Sequence, residues 1–193
     1  MKAFLVLICV LAVATSARAT LHVRGTDDSG GQLIYDDQQD ITWYDFYPGS
    51  MDFPDAQNWV NELSVTFNNH VFSDWRLPHL FYGTTPLWNT NNRDPLQAEM
   101  GHLFYNSLNL TPETVGNLNN GVFDNLQISA YWTDIVYNVS YHYTFSFYDY
   151  SVPGWGGALT GRVGSMDNRN SGFKAIAVMD GDVFPVFVDG FED

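Results

Sequence analysis

The chain has 193 residues, 8 Lys+Arg against 22 Asp+Glu, a formal charge of -14, 16% aromatic residues and a single cysteine. That length suits one domain with a sizeable core, and 45% hydrophobic residues give ample apolar surface to bury, which excludes intrinsic disorder. The acidic balance gives no attraction for phosphate backbones or anionic lipid, and no run of Lys or Arg makes a local exception, so nucleic acid and membrane surfaces are excluded as partners.

Residues 1–19 read as a signal peptide. Lys2 is a minimal positive start, Phe4 to Ala14 are apolar almost without break, and Ala17-Arg18-Ala19 offers small residues for cleavage after Ala19. The apolar run is shorter than a membrane span, so the expected product is a secreted or periplasmic chain with no span in its mature part. Cleavage removes Lys2, Arg18 and Cys9 and no acid, taking the formal charge from -14 to -16. Without cysteine there is no disulfide framework and no thiolate metal site.

The mature part opens as a β meander. Leu21 and Val23, then Gln32 to Asp36, then Ile41 to Tyr44 alternate apolar and polar, and the turn-forming runs Asp27 to Gly31 and Asp37 to Asp40 separate them. From Asp52 the period changes. Ala56, Trp59, Val60 and Leu63 fall on one helical face, with Asp52 as N-cap and Pro54 in the first turn. A polar stretch follows to Ser73, and Pro78 forces Leu77 to be extended. Residues 79–93 read as a loop. Asp94-Pro95 then opens a second helix that carries Leu96, Met100, Leu103, Phe104 and Leu108 on one face.

After a loop over Asn109 to Asp124 the pattern returns to β: Tyr131-Trp132, the alternation Tyr141, Tyr143, Phe145 and Phe147, then Ala175 to Met179 and Phe184 to Val188. Residues 148–172 are glycine-rich and read as one long loop, of the kind that often carries function. Two helices among antiparallel strands make an α+β single domain over residues 20–188, followed by a short acidic tail, 189–193.

The order of these motifs resembles a known family. Tyr35-Asp36, Ile41-Thr42-Trp43, Asp55-Ala56, Asp74-Trp75-Arg76-Leu77-Pro78, Glu99 to Asn106, Phe123 to Gln127, Tyr131-Trp132 and Ala177 to Asp182 are similar, in this order over residues 26–183, to the Lcl C-terminal domain of bacterial surface and secreted proteins. The resemblance implies a C-type-lectin-like fold with two helices and two antiparallel sheets, and no established activity. Thr133-Asp134 replaces the family's serine-rich continuation after Tyr-Trp, and Met179 stands where arginine is common.

Candidate site residues fall into two sets. Trp43, Asp74, Trp75, Arg76, Glu99, His102 and Trp132 read as structural: Arg76 as a tie between loops through its five donors, Trp132 as a core residue, and Glu99 with His102 as a surface or capping hydrogen-bond pair. Their i, i+3 spacing would also let one metal be shared, but no second helix offers a matching pair. Trp132-Thr133-Asp134 differs from the calcium-binding motif of C-type lectins, because threonine has no amide oxygen to offer. The acids at Asp27-Asp28, Asp36-Asp37-Asp40 and Asp180-Asp182 read as solvated turn residues, with Ca2+ a possible cofactor among them.

The second set has the chemistry of a glycan site. Trp88, Asn89, Asn91 and Asn92 on one loop and Trp155, Asp167, Asn168 and Asn170 on the other supply aromatic faces for sugar rings and amides for hydroxyls. No catalytic motif appears. The leading expectation is therefore a non-enzymatic module that recognises an extracellular glycan or protein. The alternatives are a carboxylate-based or metal-assisted hydrolase and a structural cell-surface component.

Overall fold

The computed structural model describes residues 20–80, 98–112, 122–148, 160–169 and 172–184. Residues 1–19, expected as a signal peptide, Trp88, Asn89, Asn91, Asn92, Trp155 and Asn170 lie outside the described residues, as do residues 189–193.

The fold is α+β and mostly antiparallel, in the form of a single small domain. The expected meander forms from β1 (Leu21–Thr26), β2 (Gln32–Asp36) and β3 (Ile41–Asp45). Its first turn is built by Asp27, whose carboxylate accepts from Ser29 N–H at 3.0 Å and Gly31 N–H at 2.7 Å. Gly31 is required there because a Cβ would stand 2.2 Å from the Tyr44 ring.

After the short β4 (Ser50–Met51), helix α1 (Phe53–Glu62) starts where its cap predicts, with the Asp52 carboxylate accepting from Asp55 N–H and Pro54 in the first turn. Ala56 and Val60 are its buried residues. The stretch to Ser73 is not a plain polar connection. It holds a hairpin, β5 (Val65–Phe67) and β6 (His70–Phe72), turned by Asn68 and Asn69 at φ +50° and +62°. Two left-handed residues are what a two-residue hairpin turn needs, and Asn tolerates them.

The second helix is described only from Glu99. It runs as α2 (Glu99–His102) into a π-helical turn over Leu103–Ser107, with Met100, Leu103 and Phe104 buried. The rest is β: β7 (Ala130–Asn138), β8 (Tyr141–Ser146), β9 (Arg162–Asp167), β10 (Phe173–Lys174) and β11 (Ala177–Asp180). Two expectations are corrected here. Residues 148–172 are not one loop, because β9 pairs along its whole length with β8, from Ser146↔Arg162 to Tyr141↔Asp167. The strand expected from Ala175 starts at Ala177, and of the stretch Phe184 to Val188 only Phe184, in a bend, is among the described residues.

A four-stranded sheet has the order β1-β2-β3-β11, and a five-stranded sheet has the order β4-β10-β7-β8-β9, in which only the β10–β7 contact is parallel. Both sheets contribute buried residues from both faces. Ile34, Trp43 and Val178 of one sheet join Tyr131, Phe145 and Val163 of the other in a core under α2. Leu33, Tyr44 and Ala177 join Ala130, Trp132 and Phe173 in a second core under α1. This is why the polar face of β8 is also covered: His142 lies stacked on Phe53 of α1, 3.3 Å between ring centroids. Among the described residues no helix is long and apolar enough to cross a membrane.

Candidate functional site

The segment Asp74 to Leu80 is a strap that ties three elements together. Trp75 and Leu77 are buried while Asp74 is exposed. Between them the Arg76 backbone exchanges two hydrogen bonds of 2.9 Å with Val178 of β11, which turns its side chain toward α2. The guanidinium then donates to both Glu99 oxygens, at 2.9 and 2.7 Å, and to Asp180 at 2.5 Å. This is the planar, bidentate pairing that arginine suits and lysine does not. Burial disfavours the Arg76 charge, but the two carboxylates outweigh it and raise its pKa above the ordinary arginine value.

Glu99 is therefore neither exposed nor paired with His102. Its side chain is 7% exposed, and its second partner is the backbone N–H of His79 at 2.6 Å. The next link is Asp134 of β7, which accepts from Leu80 N–H at 3.1 Å and bonds the His79 ring. That hydrogen bond raises the His79 pKa above its ordinary value, against the opposing effects of burial and of the Arg76 charge.

These contacts lie where the described chain before residue 81 meets the described chain after residue 97. Leu80 and Ala98 form an antiparallel bridge, and Glu99 N–H donates to His79 O at 3.1 Å. The described chain on either side of residues 149–159 is held at the other end of the same helical segment: Tyr105 donates to Gly161 O at 2.8 Å, and Gly161 N–H donates to Ser146 O at 2.7 Å. Six residue steps lead from Glu99 to Tyr105, a rise of about 9 Å at helical spacing. One short helix thus holds the described residues that flank both tryptophan-bearing stretches singled out from the sequence.

Asp167 and Asn168 do not join them. Arg162 and Asp167 are the two ends of β9, about 17 Å apart at strand spacing. Asn168 uses its amide internally, accepting from His142 at 2.7 Å and donating to Val139 O at 3.1 Å, and Asp167 pairs with Arg169.

His102 sits in a second buried knot. Its Nδ1 lies 3.5 Å from Asp36 and 3.3 Å from Ser107 Oγ, and its Nε2 lies 2.9 Å from Gln38 Oε1. The residue types are those of a nucleophilic triad, but the arrangement is not. A triad needs the serine and the acid on opposite ring nitrogens, whereas Ser107 and Asp36 share Nδ1, and the Ser107 hydroxyl donates to Asp36 at 2.9 Å. His102 and Asp36 are also 0% exposed, out of reach of a substrate. Asp36 is thus a buried turn-former rather than a solvated one. It accepts from Gln38 and Gln39 N–H, and although burial opposes its ionisation, bonds from His102, Gln39 and Ser107 prevail and hold its carboxyl below the usual range.

Of the other acids, Asp28, Asp37, Asp40 and Asp180 are exposed, as expected of solvated turn residues, whereas Asp27 is buried. Asp27 accepts from Tyr44 at 2.8 Å, Asp37 from Thr20 N–H at 2.9 Å, and Asp182 pairs with Arg24. Among the described residues no three His, Cys, Asp or Glu side chains group as a metal requires. Thr133 is buried and donates to Tyr143 O at 3.0 Å, and Trp132 fills the core with its indole N–H on Met51 O at 3.0 Å. Trp43 is likewise fully buried.

Sequence reasoning missed Asp45, whose carboxylate staples the chain after the Asn109 loop by accepting from Asp124 N–H at 2.6 Å and Asn125 N–H at 3.0 Å. Burial raises its pKa in spite of those bonds. No local signal marks it, because its partners are 79 and 80 residues away. A polar cleft of about 320 Å³ between the β1–β2 turn and the β5–β6 hairpin, lined in part by Asp28, Asn68 and Asn69, was also not foreseen.

Comparison with protein-family models, with curated proteins and with solved structures finds no match to this chain.

Proposed function

We propose that the chain is a non-enzymatic extracellular binding module of C-type-lectin-like fold, a divergent relative of the Lcl C-terminal domain, which presents a glycan- or protein-recognising surface on a rigid scaffold. The observation that carries this reading is the wiring of the Arg76–Glu99 and His102–Asp36 knots. Their charged and polar groups point at one another and at backbone, and one of them holds the described residues that flank the Trp88 stretch. Groups held this way position a surface; they do not face a substrate.

The carboxylate pair that the fold brings near, Glu99 and Asp180, has the Arg76 guanidinium between its members, where a hydrolase would place the scissile bond or a water. The hydrolase alternative therefore gains no support from it. The apolar start of the chain and its acidic balance agree with release to an extracellular or periplasmic space.

The test is binding of the mature chain, with EDTA and with millimolar Ca2+, to immobilised glycans and to candidate surface proteins. Saturable binding by the folded protein, without turnover of the ligand, is the expected result. Turnover of a glycan or peptide substrate would replace this reading with the hydrolase.

A further inference from the structure

The end of the five-stranded sheet remote from Gly161 carries an aromatic surface that no buried knot uses. Along β7 burial is complete to Thr133 and then gives way, with Val136 56% and Tyr137 46% exposed. On β8, residues directly opposite one another share a face with β9 in the pairs Phe145↔Val163, Tyr143↔Ser165 and Tyr141↔Asp167. That face leaves the core at Phe145 and Val163 and reaches the rim at Tyr141 and Asp167. Tyr137 belongs to it too, because its ring packs edge-on against Tyr143, 5.4 Å between centroids at 82°.

A polar edge adjoins the tyrosines. Arg169, 85% exposed, donates to both Asp167 oxygens at 3.1 and 3.0 Å, and Asp167 is the cross-strand partner of Tyr141. The rim is held in place. Asn138 caps the hairpin by accepting from Ser140 and Tyr141 N–H at 2.9 and 3.1 Å, and Asn168 ties the tip to β9 through Ser140 O and Val139 O. A prearranged surface of this kind loses little entropy on binding.

We infer that Tyr137, Tyr141 and the Asp167–Arg169 pair form a subsite for a neutral saccharide. This deepens the reading of the chain as a binding module and rests on it, but places contacts on a sheet face instead of the tryptophan loops. An aromatic ring offers a face for the C–H groups of a pyranose, and a guanidinium beside a carboxylate offers a donor and an acceptor to adjacent hydroxyls. The charge of -14, with the local cation already paired to an acid, disfavours sulfated or uronic glycans.

The test titrates the mature chain with neutral oligomers of β-linked glucose, xylose and N-acetylglucosamine, by calorimetry and by array. The expected result is binding that falls about tenfold or more in Tyr137→Ala and in Tyr141→Ala, is retained in Tyr137→Phe, and is unmoved by Trp155→Ala. Unchanged thermal unfolding of Tyr137→Ala keeps the loss attributable to the surface. Binding that ignores both tyrosine variants but is lost in Trp88→Ala or Trp155→Ala overturns this subsite and leaves the binding-module reading standing. No binding to any neutral oligomer overturns the saccharide, and only a further failure with proteins removes the module reading as well.

Discussion

Arg76 and Glu99 show how one buried pair differs from an exposed one with the same partner. Removing Glu99 leaves a half-buried guanidinium and the His79 N–H without their carboxylate, so Glu99→Ala is expected to cost about 3–5 kcal/mol, a fall of about 10 °C in melting temperature. Asp180 also binds Arg76, but its side chain is 81% exposed, and Asp180→Asn is expected to cost less than about 1 kcal/mol. Thermal scans of the two variants side by side check both values, and equal losses would refute the distinction. His79 supplies a pH dependence. Its pKa is raised in the folded chain by Asp134, so this pair stabilises fully below the ordinary histidine value of about 6.5, and the contribution is lost as pH rises through the folded value. Asp134→Asn is expected to lower the His79 titration, read by NMR, toward the ordinary histidine value and to flatten the stability loss seen as pH rises above that value. The sequence indicated that Arg76 would be structural, because an arginine between Trp75 and Leu77 has to find acceptors. It did not indicate which acceptors, since Glu99 and Asp180 come from 23 and 104 residues away.

Elements with local signals formed where their residues predict: α1 from its Asp52 cap and apolar spacing, and the meander from its alternation and turn runs. Elements whose signal is long-range did not. Arg162 to Asp167 has glycine and serine at Gly164 and Ser165 and little alternation, and it is a strand because β8 offers it a complete ladder. The hairpin at Asn68-Asn69 was legible in principle, since paired asparagines between Val-Thr-Phe and His-Val-Phe fit a tight turn. Gly161 marks the start of β9 and is expected to be intolerant. It holds φ +69°, and a Cβ there would stand 2.5 Å from the Tyr105 hydroxyl and 3.0 Å from the Phe104 ring. Gly161→Ala is therefore expected to destabilise by about 1–3 kcal/mol through strain and overpacking together, measured by urea unfolding at unchanged m-value. A neutral result would mean that the contacts around Gly161 yield easily.

For the molecule as a whole, a formal charge of -14 opposes compaction by self-repulsion. Raising NaCl from about 0.01 to 0.5 M shortens the screening length from about 30 Å to a few ångströms and is expected to raise the melting temperature, read by scanning calorimetry. A fall would mean that screened ion pairs outweigh the repulsion. The loops chosen for their tryptophans and asparagines are gathered only in part. The residues that flank the Trp88 and Trp155 stretches are held at the two ends of one short helix, whereas Asp167 and Asn168 are carried by β9 to the far end of the sheet, beside Tyr137 and Tyr141. Composition and local patterns were sufficient for the acidic character, the α+β class, α1, the meander and the buried roles of Trp75 and Trp132, because each depends on neighbours in the chain or on totals over it. Strand order, the partners of Arg76, His102 and Asp45, and the exposure of the tyrosine face came from folding, because each depends on residues that meet only when the two sheets pack and bury residues from both their faces.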